Sequence, residues 1–320
     1  MTDKRSACQS PSVRLIWFTV GTGFLLMTWH NVINPLSLPV QLAVLVASLL
    51  LTGIPHGALD HLVQKEQARR VKRSFYILGF LARYLIIMLV YAVAWYILPQ
   101  LSLTLFLLTS AWHFAETDIT NLSQTKVWSV ILRLIYGIAL LGWILFSHLA
   151  AVNPILLQLV NGQGLFYSCW LAVTAQAQWL LPVLGLIITG ILVADKRQSP
   201  DCRQYWLLGQ LLFILLCSYT LPLLLAFALY FAGWHSLNTL LNIKGFITHQ
   251  SAVSNKPLFK LWLKALPFTL LAISGLVLAG YFFKHYMPVI HPLPLLFVFL
   301  SLITMPHTEV MHGLNKSLRA

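Results

Sequence analysis

Four short segments set histidine beside carboxylate, tryptophan or proline inside otherwise apolar stretches. They are Pro55-His56-Gly57-Ala58-Leu59-Asp60-His61, Trp112-His113-Phe114-Ala115-Glu116-Thr117-Asp118, Trp234-His235-Ser236-Leu237-Asn238 and Pro306-His307-Thr308-Glu309-Val310-Met311-His312. Imidazole is the commonest side-chain ligand for transition metals, and rings from separate segments can converge on one ion. A lone histidine on an apolar helix reads as a hydrogen-bonded core residue. Four polar clusters that interrupt apolar stretches read as a site, because ionisable groups at membrane depth are costly.

The spacing within the clusters sets what each can do. Asp60 is i+4 from His56 and Glu116 is i+3 from His113, so each carboxylate shares a helix face with its imidazole. Such a carboxylate can ligate directly or orient a ligand from another helix. Asp118 is a third candidate of this kind. Pro55 and Pro306 suit the first turn of a helix, which would put His56 and His307 where broken helices restart. His61 and His312 lie five residues from their partners and point elsewhere on a regular helix. No HxxHH box and no histidine pair spaced by four occurs. That argues against a di-iron site and for one metal held by His56, His113, His235 and His307. Trp112, Phe114, Tyr230, Phe231 and Trp234 are candidate walls for an apolar substrate, although interfacial anchoring explains a tryptophan near a span end equally well. His30, His148, His249, His285 and His291 read as solvated loop or interface residues. Cys8, Cys169, Cys202 and Cys217 show neither CxxC spacing nor a neighbouring histidine, so no disulfide framework or thiolate site is expected.

The elements that must position these residues are apolar helices. Residues of hydrophobic type make up 58% of the chain and charged ones 9%, too few to cover a water-facing domain. The sequence predicts an all-α polytopic transmembrane bundle of about ten spans (eight to ten). They run near 13–33, 38–58, 75–97, 101–119, 127–149, 173–194, 204–219, 221–243, 262–283 and 289–311. The seventh and eighth could also be one helix kinked at Pro222. The first run reads as a span and not a signal peptide. The chain is one membrane domain over 1–320, with a polar tail at 1–12 and a short one at 313–320. Its formal charge of +13 sits in alternate loops, as the positive-inside rule requires of a multi-pass protein of the cell (cytoplasmic) membrane with both termini inside. No nucleic-acid partner is needed to explain it. Residues 150–170 read as the longest outer loop and 244–260 as the longest inner one. His56, His235 and His307 each precede a lysine by nine residues and His113 by thirteen. Four helices thus bring imidazoles to one level, in the cytoplasmic half of the core.

The four motifs in order, PHGALDH at 55–61, WHFAETD at 112–118, WHS at 234–236 and PH at 306–307, resemble those of the Brp/Blh family of membrane β-carotene 15,15'-dioxygenases. The resemblance implies an enzyme using Fe(2+) to split the central double bond of β-carotene with dioxygen, giving two molecules of retinal. It implies that His56, His113 and His235 ligate iron, with Asp60 and Asp118 matching family carboxylates nearby. It also implies membrane lipids as surroundings and a retinal-binding rhodopsin as a product acceptor. The family pattern usually has a second histidine four residues after the third motif, where this chain has Thr239. Either His307 completes the site, or the activity has changed or been lost. The residues alone leave three other readings open: an oxygenase or hydrolase acting on another carotenoid or isoprenoid, a non-catalytic carotenoid-binding protein, and a proton-conducting relay. The relay is disfavoured by the scarcity of ionisable groups in the outer halves of the spans.

Overall fold

The computed structural model describes residues 11–122, 126–160, 162, 164–198, 202–248, 256–286 and 292–319. The tail at 1–10 and His249, Pro288 and His291 lie outside them. The described residues form an all-helical bundle without strands. In chain order the helices are α1 (Pro11–Thr28), α2 (Leu38–Ser48), α3 (Ile54–Ala58), α4 (Asp60–Arg70), α5 (Ile77–Ile97) and α6 (Pro99–Asp118). Next come α7 (Val127–Phe146), α8 (Leu149–Leu159), α9 (Leu165–Thr174), α10 (Ala177–Arg197) and α11 (Cys202–Thr220). The last four are α12 (Leu223–Phe227), α13 (Leu237–Thr248), α14 (Lys256–Tyr286) and α15 (Pro292–Arg319). Among the described residues, seven helices are long and apolar enough to cross a membrane: Leu38–Arg70, Ile77–Ile97, Val127–Phe146, Ala177–Arg197, Leu223–Thr248, Leu258–Phe283 and Leu293–Leu318. Each coincides with one expected span. The other three expected spans fall on α1, α6 and α11. Polar side chains interrupt α6, and the apolar part of α11 is short.

Two expectations need correction. Residues 150–170 are not an open loop: those described fold mainly into α8 and the start of α9, and Val152, Ile155, Leu156 and Leu159 of α8 are buried in the main apolar core. Pro154 lies inside α8. Pro306 also sits inside α15, so His307 follows an in-helix proline and not a helix start.

The pitch of the helices changes where the histidine motifs lie. Leu49–Gly53 is a π-helical turn ahead of Pro55 and His56, and Ala228–Ser236 is a longer π-helical stretch that contains His235. Widened turns leave carbonyls poorly paired, and hydrocarbon offers them nothing. Side-chain hydroxyls supply the donors, two from neighbouring helices and one from within the stretch itself. Thr52 Oγ1 lies 2.8 Å from the Ala232 carbonyl, Thr19 Oγ1 2.9 Å from that of Gly233, and Ser236 Oγ 2.8 Å from that of Phe231. Pro55 has no N–H to give the Leu51 carbonyl one turn earlier, and Trp262 Nε1 donates to it at 3.0 Å.

Helix α6, which carries His113, is held against α7 at unusually short range. A Cβ added to Gly137 would stand 1.9 Å from the Ala111 carbonyl oxygen, so only glycine permits this approach. Past its C-terminus, Arg133 donates to the Ile119 and Leu122 carbonyls, and Lys196 Nζ donates to that of Asp118 at 3.1 Å. Gly137→Ala is therefore expected to destabilise the fold by roughly 1–3 kcal/mol, as overpacking does. Thermal unfolding in detergent should show a Tm several degrees lower. Gly190→Ala, where a Cβ meets nothing within 4 Å, should leave Tm unchanged; equal Tm values for both would refute the close contact.

Candidate metal centre

The four motif histidines come from four elements: His56 from α3, His113 from α6, His235 from the π-helical stretch before α13, and His307 from α15. All four are buried. One ring nitrogen from each of His56, His113 and His235 lies within 4.8 Å of the others. The His307 ring centroid is 4.9 Å from those of both His56 and His113. Nitrogens bound at about 2.0–2.1 Å to one ion stand roughly 3.0 Å apart when at right angles, and the spacing here is compatible with that.

The donor chemistry agrees with the spacing. His113 Nε2 and His235 Nε2 face each other at 3.0 Å. Two bare lone pairs at that range repel unless a proton or a cation lies between them. Among the described residues, the buried Nδ1 atoms of these rings have no hydrogen-bond partner, and neither does His307 Nε2. Buried polar atoms without partners are uncommon and call for a ligand. His307 is aimed by Asp60, whose carboxylate oxygens lie 2.8 and 3.0 Å from its Nδ1. That contact makes Nδ1 the donor and leaves Nε2 with its lone pair, the usual carboxylate–histidine–metal arrangement. His56 Nδ1 lies 3.3 Å from the Thr52 carbonyl in the same way. These residues fit a divalent first-row cation held by imidazoles.

The carboxylates divide their work in a manner the sequence did not reveal. Asp60 shares a helix face with His56 on paper, but the chain turns at Leu59 (φ −91°, ψ 0°) and the carboxylate reaches across to His307. Tyr84 Oη stands 3.1 Å from the same carboxylate. Glu116 meets His312 Nδ1 at 2.7 Å and not His113. Asp118 contacts no imidazole among the described residues. It accepts from Tyr136 Oη at 2.7 Å, Tyr230 Oη at 2.9 Å and Trp234 Nε1 at 2.8 Å, and so anchors the segment preceding His235. Thr239 is buried and donates to the His235 carbonyl at 2.9 Å.

A cavity of about 590 Å³ opens beside the rings, bordered by His56, His113 and His307. Phe114 and Phe231 line it; Tyr230 and Phe114 line a smaller apolar pocket of about 90 Å³ behind Phe114. Trp234 is turned to Asp118, and Trp112 lies by His312, ring centroids 6.4 Å apart. His61 borders the cavity, its ring tilted at 48° against Phe268 with centroids 4.7 Å apart. His148, expected to be solvated, bridges the Ile144 and Leu221 carbonyls at 2.6 and 2.7 Å. Sequence reading missed Tyr84, Tyr136, Lys196 and Asp195. Asp195 gathers the N–H groups of Thr120, Asn121 and Leu122 below α6. The detectable signal was Asp195-Lys196, an adjacent charged pair at the end of an apolar helix.

The profile of the beta-carotene 15,15'-dioxygenase family matches residues 47–315, a range holding all four histidine motifs. A beta-carotene 15,15'-dioxygenase of an uncultured marine bacterium (66A03) is 26% identical over 200 residues, 60% of this chain and 65% of that protein. The chain thus spans just under two thirds of that relative's length. No solved structure matches at a significant level.

Replacing Asp60 with Asn should weaken divalent-metal binding about 10–100-fold, the usual effect of losing a carboxylate behind a histidine ligand. Competition against a chromophoric chelator measures this, and unchanged affinity would remove the Asp60–His307 pair from the site.

Proposed function

Because this chain belongs to the beta-carotene 15,15'-dioxygenase family, we propose that it cleaves β-carotene at the central double bond with dioxygen in the cell membrane, giving retinal. The observation that carries this reading is the convergence of four imidazoles beside a largely apolar cavity, with His56, His113 and His307 on its wall and His235 behind them against His113. His56, His113, His235 and His307 hold Fe(2+), and His307 takes the place of the family histidine that Thr239 replaces. Thr239 spends its hydroxyl on the backbone of its own helix and is a poor ligand in any case.

Bound ferrous iron supplies the binding and activation of dioxygen. The protein's own residues do the rest. Asp60 and the Thr52 carbonyl fix the tautomers of His307 and His56, which keeps their second nitrogens free for the metal. The Asp60 charge offsets that of the cation. Asp118, through Tyr230 and Trp234, holds the backbone that presents His235. Phe114 and Phe231 form the wall next to the rings and hold the polyene against them. The apolar lining keeps water from competing for a position on the metal.

The stoichiometry suits such a site. One carbon–carbon double bond breaks, each carbon takes one oxygen atom, and two aldehydes form with no net exchange of protons. In a β-carotene-producing bacterial host, expression should deplete the pigment and yield retinal. His113→Ala should abolish the product while leaving a folded membrane protein, and His307→Ala should lower it at least tenfold. Intact pigment beside well-folded, iron-loaded wild-type protein would contradict the reading and point to another lipid substrate.

A further inference from the structure

The cavity beside the histidines has a mouth, and the helices around it show where. Its wall includes Leu81, Leu85 and Met88 from α5, at i, i+4 and i+7 on one helix face. It also includes Phe268, Leu271 and Gly275 from α14, at i, i+3 and i+7. Leu85 is 62% exposed and Leu271 67% exposed, so both border the cavity and the outer surface at once. Helix α5 packs against α6 and α15, whereas α14 packs chiefly against α3 and α13, and no packed interface joins α5 to α14 among the described residues. The two are also the most peripheral of the candidate spans, each only 6% buried over its apolar window. Their remaining exposed side chains, such as Ile86, Leu89, Leu270 and Leu278, are those of a lipid-facing surface.

Resting on the carotenoid reading above, we propose that the slot between α5 and α14 is a lateral portal, through which a polyene dissolved in the bilayer slides to the histidines. Leu85, Leu271 and Gly275 form its rim. The chemistry of the rim selects for this route: Leu85 and Leu271 make it apolar on both sides, whereas Asp60 and Tyr84 are tied to each other and Asp60 to His307; half-buried His61 packs against Phe268. Gly275 keeps the slot wide. A Cβ there would meet nothing within 4 Å, so a large side chain fits without disturbing the helix and narrows only the opening.

The test uses the full-length, iron-loaded protein in phosphatidylcholine vesicles containing β-carotene. Pigment uptake is followed without oxygen, then retinal formation after air is admitted. Gly275→Trp should slow uptake and retinal formation at least tenfold with unchanged iron content. Gly280→Trp, on the same helix but away from the cavity, should match wild type. In Gly275→Cys, a bulky thiosulfonate reagent should block uptake and dithiothreitol should restore it, with wild type treated alike to account for its own cysteines. Equal uptake in wild type, Gly275→Trp and labelled Gly275→Cys would overturn the portal. Uptake sensitive to position 275 but without retinal in air would uphold the portal and overturn the cleavage reading. Wild-type protein that neither binds nor cleaves β-carotene would overturn both.

Discussion

In a hydrocarbon setting, a polar group must find its partner inside the protein, and this constraint organises the bundle around four imidazoles. Hydrogen-bonding atoms of His113, His235 and His307 are buried without a partner among the described residues, an arrangement costing several kcal/mol unless a ligand completes it. Everything near them serves to hold that arrangement. The π-helical turns before His56 and at His235 shift the rings out of ordinary helical register, and Thr19, Thr52, Ser236 and Trp262 satisfy carbonyls along those turns. Glycine at 137 lets α6 approach α7 closely enough to keep His113 in place.

The buried carboxylates follow from the same constraint. Three of them, all aspartates, accept several hydrogen bonds, and each braces a different part of the site. Asp60 faces His307, Asp118 takes two phenols and an indole, and Asp195 collects the amides below α6 together with Lys196. A carboxylate in hydrocarbon is tolerated when its lone pairs are occupied. Here the satisfaction of each acid also fixes a histidine-bearing segment. The cavity beyond is lined mostly by apolar side chains, with its polar groups few and near the imidazoles or hydrogen-bonded within the protein.

Much of this was legible in the sequence, and the reasons are specific. Apolar length gives the spans, because a bilayer imposes a minimum on each. The four histidine motifs stand out because nothing else explains imidazoles in such surroundings. What spacing could not give was partnership across helices. Asp60 reads as the neighbour of His56, yet a single turn at Leu59 redirects it to a residue 247 positions away. The π turns carry no sequence signature beyond Pro55 and a run of small and polar residues. Helices α8 and α9 were hidden because runs of 11 and 10 residues are too short to read as spans. Asp118 sits in a motif yet braces aromatic side chains, a role that depends on tertiary contact alone.

The central claim is that one ion is held by imidazoles from four separate helices, His307 among them. X-ray absorption on the iron-loaded protein, beside a His307→Ala variant, tests it most directly. The account predicts a first shell dominated by imidazole nitrogen in the native chain, with one imidazole fewer in the variant. An identical imidazole count in the two proteins, or a shell made of oxygen or sulfur, would contradict it.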